Sequence, residues 1–284
     1  MTKSTNKTCL ITGANSGIGK VTAHALAASG AAVIMVCRDR ARGEAAREEI
    51  RRATNNGRIE LLTADLSEQR QIRELAEHVK KRFSELHVLI NNAGVWRDKR
   101  ELTADGIEST WAINHLAYFL LTRELLDLLQ ASAPARIVNV SSDYHFRGHL
   151  AQDDVQLSRG YSGGRAYGQS KLANVVFTYE LARRLAGTGV TANCLHPGAV
   201  NTNFFNNVKG LFGLLTSIGR PFLRSPEKGA ETVIWLATAP EVEGVSGKYF
   251  FNCKEKRSSR ESYDPAVAAK VWEISELMTE ARPS

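Results

Sequence analysis

Short apolar runs alternate along the chain with longer stretches in which apolar residues return at helical spacing. Thr8–Thr12, Ala32–Cys37, Ile59–Ala64, Val88–Asn91, Arg136–Ser141, Thr191–His196 and Lys248–Phe251 are short runs rich in β-branched and other apolar residues, and each predicts a strand. Between them, Gly17–Ser29, Arg40–Arg52, Glu68–Phe83, Gly106–Ala131, Ala166–Leu185 and Pro226–Ala239 predict helices. Gly30 is placed to cap the first helix, and Ser225-Pro226 gives an N-cap followed by proline at the first helical position. Asp264-Pro265 repeats that signal and predicts a last helix to about Glu280.

Strands and helices that take turns in this way imply α/β architecture, with a parallel sheet covered by helices on both faces. The expected fold is a Rossmann-type doubly wound sheet of about seven strands. No linker, repeat or low-complexity tract divides the chain, so one domain is expected over residues 1–284. Its cofactor-binding part would span about 7–142, its catalytic and substrate part about 143–251, and its C-terminal helix about 264–280. In such a sheet ligands sit beyond the C-terminal ends of the strands, at the switch point of the strand order.

Composition narrows the function classes. With 43% hydrophobic and 24% charged residues, the chain resembles an ordinary globular protein that needs neither disulfides nor metals to build a core. The net charge of +7 could suggest a polyanionic partner, but the basic residues are scattered and mixed with acids. We therefore expect no nucleic-acid partner, and a positive field that attracts a phosphate-bearing small molecule instead. Cys9, Cys37, Cys194 and Cys253 lack metal or redox spacing and fit a reducing cytoplasm. No apolar run reaches the ~18 residues of a membrane span, so no stable membrane anchor is expected.

The first strand runs into Thr12-Gly13-Ala14-Asn15-Ser16-Gly17-Ile18-Gly19 and then directly into a helix. Glycines here let the backbone turn tightly and approach a pyrophosphate, which the helix N-terminus binds through free N–H groups. At the end of strand two, a carboxylate would favour NAD; this chain has Cys37-Arg38-Asp39-Arg40. Arg38 can fork onto a 2′-phosphate, so NADP(H) is the expected cofactor, while Asp39 leaves an opening for NAD. Asp65 after strand three could accept a bond from adenine or could cap the next helix, and spacing does not choose between them. Tyr167 and Lys171 stand four apart in a predicted helix, so phenol and ammonium share one face. A cation there would pull the phenol below its ordinary pKa of about 10 and let it exchange protons near neutrality.

With Asn91-Asn92-Ala93-Gly94 after strand four, the chain resembles the short-chain dehydrogenase/reductase superfamily in its classical form. The glycine loop, Asp65, Asn91–Gly94, Asn114, Ser142, the Tyr167/Lys171 pair and Pro197-Gly198 occur in the family's order over about residues 7–251. Cys37-Arg38-Asp39, the run Tyr167–Asn174 and the long Ser142–Tyr167 spacing are similar to the retinol-dehydrogenase-like branch. The resemblance implies that Tyr167 is the general acid/base, that Lys171 lowers its pKa and holds the nicotinamide ribose, and that Ser142 bonds the same substrate oxygen. It also selects Ser142 over Ser141, and gives Asn114 a water that links Lys171 to solvent. Asn91 is expected to tie neighbouring strands through backbone bonds. By the same resemblance the cofactor lies against Gly13, Asn15, Ser16, Gly17, Ile18 and Gly19, then Arg38, Asp65 and Leu66, then Asn92, Ala93 and Gly94. Tyr167, Lys171, Pro197, Gly198, Val200 and Thr202 complete the set. Dimers and tetramers are common in the family, which makes a homodimer or homotetramer an expectation with no interface identified.

On the substrate side, Asp143–Arg165 carries Tyr144, His145, Phe146, His149 and Tyr161. Asn203–Arg224 carries Phe204, Phe205, Leu211, Phe212, Leu214, Leu215 and Phe222 among glycines. Such a stretch suits either a lid over an apolar ligand or an interface. His145 and His149 have no third ligand nearby, so no metal is expected. The expected activity is interconversion of an apolar alcohol with its aldehyde or ketone. A non-catalytic NADP-binding sensor, or an epimerase or double-bond reductase on the same scaffold, stands as the alternative.

Overall fold

The computed structural model describes residues 7–200 and 223–280. Its first strands and helices alternate as β1 (Thr8–Thr12), α1 (Gly17–Ala28), β2 (Ala32–Cys37), α2 (Arg40–Thr54), β3 (Ile59–Thr63), α3 (Gln69–Arg82) and β4 (Val88–Asn91). A turn at Ser109–Trp111, a π-helical segment Ala112–Leu116, α4 (Ala117–Glu124) and α5 (Leu126–Ala131) then lead to β5 (Ala135–Val140). The remainder is α6 (Gly163–Arg184), β6 (Val190–Leu195), α7 (Pro226–Thr238), β7 (Tyr249–Phe251), β8 (Lys254–Lys256) and α8 (Pro265–Thr279).

Among the described residues the strands form one sheet in the order β3-β2-β1-β4-β5-β6-β7-β8. Every pairing is parallel except β7 with β8. The apolar runs of the inner strands lack polar alternation because both of their faces are buried. Leu10 of β1 points with Ile34, Leu89 and Ile137 into a core made with α3, α4 and the second half of α6. Its neighbours Cys9 and Ile11 point with Val33, Met35, Ile90 and Val138 into a second core made with α1, α2 and α7. A third cluster joins Val267, Val271 and Ile274 of α8 to Leu172, Ala173 and Val176 of α6, so the C-terminal helix covers the outer side of α6. Each such aliphatic side chain contributes ~1.5–3 kcal/mol when taken out of water.

The eighth strand was not expected. Asn252 and Cys253 adopt φ of 52° and 55°, a left-handed pair that turns the chain back from Phe251. The returning Lys254–Lys256 is exposed and charged, so it lacks an apolar strand pattern and protects the sheet edge instead. The predicted helix Gly106–Ala131 also differs. Gly106 has φ 73°, and residues 102–108 fold into a tight antiparallel turn, so the helical stretch opens only at Ser109. Buried Glu108 caps it, accepting the Thr110 N–H on Oε1 at 2.8 Å and the Trp111 N–H on Oε2 at 2.7 Å. Thr202 and residues 203–222 lie outside the described residues.

Candidate active site

Strand order reverses between β1 and β4, and the sequence-predicted residues gather around the C-terminal ends of the strands on either side. The Thr12 hydroxyl locks the two central loops together, accepting the Asn92 N–H at 2.9 Å and the Ala93 N–H at 3.0 Å. Asn92 returns a bond from Nδ2 to the Thr12 carbonyl at 2.8 Å. Gly13 turns with φ 69°, and a Cβ on Gly19 would stand 2.3 Å from the Gly13 carbonyl oxygen. The first turn of α1 can therefore close on the loop only with glycine there. Gly13 and Asn15–Ile18 remain partly open beside the helix N-terminus, the arrangement that receives a pyrophosphate.

At the next two strand ends, Arg38 and Asp65 face one another with Nη1 and Oδ2 3.8 Å apart. The Arg38 side chain is 70% exposed, so this loose ion pair leaves its guanidinium free to turn to another anion. Asp39 is committed elsewhere: it caps α2, accepting the Arg42 N–H at 3.0 Å. Asp65 does not cap a helix, because α3 begins after Glu68; its Oδ1 instead closes a local turn with the Ser67 N–H and hydroxyl at 2.9 and 2.7 Å. Leu66 is buried in the core between these ends.

α6 carries Tyr167 and Lys171. It begins at Gly163, three residues before the predicted start, with the Ser162 hydroxyl capping the Arg165 N–H. Glycine is needed there because a Cβ on Gly163 would come within 2.6 Å of the Arg97 carbonyl and 2.9 Å of Trp96 Nε1. Lys171 is buried, and its ammonium donates to the Val140 carbonyl at 2.9 Å. Nζ lies 5.6 Å from the Tyr167 ring centre and 5.6 Å from that of Tyr118. A Cβ on Gly94 would sit 3.6 Å from it, so the ammonium reaches the loop after β4. With three donors and one protein acceptor among the described residues, the buried ammonium fits a ligand that brings hydroxyl oxygens.

The two serines at the end of β5 have separate work. Ser141 is buried and its hydroxyl donates to the Lys171 carbonyl at 2.8 Å, which ties the strand to α6. Ser142 is partly open; its hydroxyl accepts the Tyr144 N–H at 3.2 Å and hydrogen-bonds the Tyr167 phenol. Burial pushes the Tyr167 phenol up, and the Ser142 hydroxyl pulls it back. The sequence led us to expect Lys171 to lower the phenol. Here the lowering contact is Ser142, because the ammonium is held at Val140, and burial draws its own pKa down to about 7.

Asn114 lies in the π-helical segment, where widened turns re-aim side chains. Its Oδ1 accepts the Val95 N–H at 2.7 Å, and Nδ2 donates to the Val95 carbonyl at 3.0 Å and to Ser170 Oγ at 3.1 Å. Asn174 Nδ2 donates to its backbone carbonyl at 2.8 Å. The amide therefore fixes the loop after Gly94 against α6. Asn91 pairs with Asn139 in the backbone ladder between β4 and β5, as expected, and its side chain adds bonds from Nδ2 to Asn139 Oδ1 at 2.8 Å and to Thr122 Oγ1 at 3.1 Å.

The turn Pro197–Val200 closes the site. Gly198 has φ 87°, and a Cβ there would meet the Arg224 side chain at 2.7 Å. Val200 is buried against Gly229 of α7 and pairs with Arg224 in a short parallel bridge.

Two aromatic residues of the site had escaped the sequence reading. Tyr118 donates its hydroxyl to the Ala93 carbonyl at 2.8 Å; its place four residues after Asn114 on the same helical face was the available signal. Trp96 packs at a tilt against Tyr167 and edge-on against Tyr144, with ring centres 5.3 and 5.7 Å away, and no local pattern marks it. His145 and His149 go to separate partners, the first to Ser142 and Ser259, the second to Glu261.

The family model described as short chain dehydrogenase matches residues 7–210. The chain is 45% identical to Retinol dehydrogenase 14 of Homo sapiens over 291 residues, covering 96% of this chain and 86% of that protein. A crystal structure of an uncharacterized protein from Mycobacterium Paratuberculosis superposes with a TM-score of 0.79 at 34% identity, covering 100% of this chain and 97% of that one. A short chain dehydrogenase from Burkholderia cenocepacia in complex with NADP gives a TM-score of 0.70 at 26% identity, covering 87% of this chain and 96% of that one. Fold, strand-end chemistry and these likenesses agree: the chain belongs to the short-chain dehydrogenase/reductase superfamily, in its retinol-dehydrogenase-like branch, and is an oxidoreductase of alcohol and carbonyl groups.

Proposed function

We propose that the protein is an NADP(H)-dependent oxidoreductase that interconverts an apolar alcohol and its aldehyde or ketone, with Tyr167 as the acid/base. The observation that carries this reading is the Tyr167 phenol bonded to Ser142, one helical turn from a buried ammonium that reaches the loop beside the glycine cradle. The bound nicotinamide would supply or take up the hydride. In carbonyl reduction, Tyr167 gives its proton to the substrate oxygen as negative charge develops there. Ser142 donates to the same oxygen and shares the charge. Lys171 holds ribose hydroxyls with its remaining donors, and its ammonium keeps positive charge near the phenolate as it forms. Asn114 keeps the Val95 backbone, and with it the Gly94 loop, at a fixed height over α6. Trp96 and Tyr144 give an aromatic wall beside Tyr167, which supports an apolar substrate.

Preference for NADP(H) is supported by the exposed Arg38 guanidinium at the end of β2 and by the commitment of Asp39 to its helix cap. The NADP complex of the Burkholderia relative is in keeping with it. Oxidation of NADPH and NADH is measured with a panel of apolar aldehydes and ketones, retinal among them. Tyr167→Phe is expected to lose ~10²–10⁴-fold in kcat while NADPH still binds. A variant as active as the parent sinks the acid/base assignment.

A further inference from the structure

We propose that His145 is a positioning residue for the Ser142–Tyr167 pair, holding the Ser142 backbone in place through the bond from its Nδ1 to the Ser142 carbonyl. The proposal rests on the reading of Tyr167, Ser142 and Lys171 given above. His145 is fully buried in the short 3-10 turn Asp143–Arg147 that leaves β5. Its Nδ1 lies 2.6 Å from the Ser142 carbonyl oxygen, and Nε2 lies 3.1 Å from the Ser259 backbone nitrogen. These partners set the tautomer. A backbone N–H can only donate, so Nε2 is bare and accepts; a carbonyl can only accept, so Nδ1 carries the proton and donates. The ring is held between Phe146 and Tyr249, with centres 4.1 and 4.8 Å away.

Ser142 is fixed at both of its oxygens, with His145 holding the carbonyl. Its carbonyl receives the His145 imidazole and, at 3.1 Å, the His145 backbone N–H. Its hydroxyl receives the Tyr144 N–H, donates to Asp143 Oδ1 at 3.4 Å and meets the Tyr167 phenol. The 3-10 turn by itself would supply only the backbone bond. The imidazole adds a second bond and an anchor at Ser259, 114 residues further along the chain. A hydroxyl that must meet a phenol in a narrow range of geometry gains from such a brace, since small displacements at a reacting centre are costly. Other charged or titratable groups close to the ring are Asp143 on the same turn, Tyr249 on β7 and His196 at the end of β6.

Two amides separate the two bonds. In His145→Asn the short amide N–H can still reach the Ser142 carbonyl, but nothing reaches Ser259. In His145→Gln the longer side chain can still accept from Ser259 but gives up the short donor. These variants, His145→Phe and Ser142→Ala are compared in the full chain with NADPH and the best aldehyde of the panel. The readouts are the pH profile of kcat, NADPH affinity and the urea unfolding midpoint. His145→Phe is expected to lose about tenfold to a hundredfold in kcat, with NADPH affinity within about twofold of the parent. Its alkaline limb, where the phenol loses its proton, should move to higher pH, because the Ser142 bond that favours the phenolate is misaligned. His145→Asn should recover rate and limb, and His145→Gln should not. If Gln rescues as well as Asn, or if His145→Phe keeps the parental limb while Ser142→Ala moves it, the residue is a tether and the proposal fails. Should His145→Phe not fold, the Asn and Gln variants decide by the same criterion. If Ser142→Ala and Tyr167→Phe are both fully active, the site reading itself falls, and the proposal with it.

Discussion

In the proposed function a single side chain, Arg38, would decide between two cofactors that differ by one phosphate. Its guanidinium stands at the end of β2, 70% exposed and only 3.8 Å from Asp65 at nearest approach, so turning to a 2′-phosphate sacrifices little. Hydrogen bonds to charged groups contribute ~1.5–3 kcal/mol. Arg38→Ala should therefore raise the KM for NADPH about tenfold or more and leave that for NADH nearly unchanged. The check is steady-state kinetics with both dinucleotides; a parent enzyme that already prefers NADH would overturn the assignment. Residue by residue, Ser141 and Ser142 teach a related lesson. Neighbours in sequence and identical in chemistry, they differ only in what each meets, the Lys171 carbonyl or the Tyr167 phenol.

Among the elements, the helical stretch around Asn114 departs furthest from a simple helix. Its start is set by Glu108, whose carboxylate satisfies two buried backbone donors, and its middle is widened into the π-helical segment that carries Asn114. Removal of the cap leaves those donors without partners in the interior, at ~1–3 kcal/mol for each. Glu108→Ala is expected to lower the urea midpoint markedly, and Glu108→Gln, which keeps one good acceptor, to lower it less. Equal midpoints for the parent and Glu108→Ala would show that the carboxylate has no such part. α6 depends on an equally local device, since its glycine start lets the helix approach Trp96 and brings Tyr167 against the same ring.

For the whole molecule, the C-terminal helix matters through a buried histidine. His115 sits between Asn174 Oδ1 at 3.2 Å and Ser275 Oγ of α8 at 2.8 Å, and burial draws its pKa down to about 4. An unfolded histidine titrates near ~6.5. Between those values the unfolded chain binds a proton that the folded one refuses, so stability falls as pH drops from ~6.5 towards about 4 and levels off below. His196, drawn down to about 4 mainly by burial, adds to the loss in the same window. Unfolding midpoints across this range should decline less steeply for His115→Gln than for the parent. Parallel declines would remove His115 from the explanation.

The repeating strand and helix pattern, the glycine loop, the caps at Ser225 and Asp264 and the Tyr167/Lys171 spacing were all legible in the chain, because each is set by neighbours a few residues away. Local chemistry is enough for periodicity, capping and tight turns. β8 was not legible, since its exposed Lys-Glu-Lys has no apolar pattern and exists as a strand only because β7 offers an edge. The same holds for Trp96 and for the brace of Ser142 by His145 and Ser259, which join residues far apart in sequence. Least legible was the balance of protonation at Tyr167 and Lys171: spacing sets the two on one face, but burial and the partners Ser142 and Val140 fix their charge, and these are properties of the packed interior.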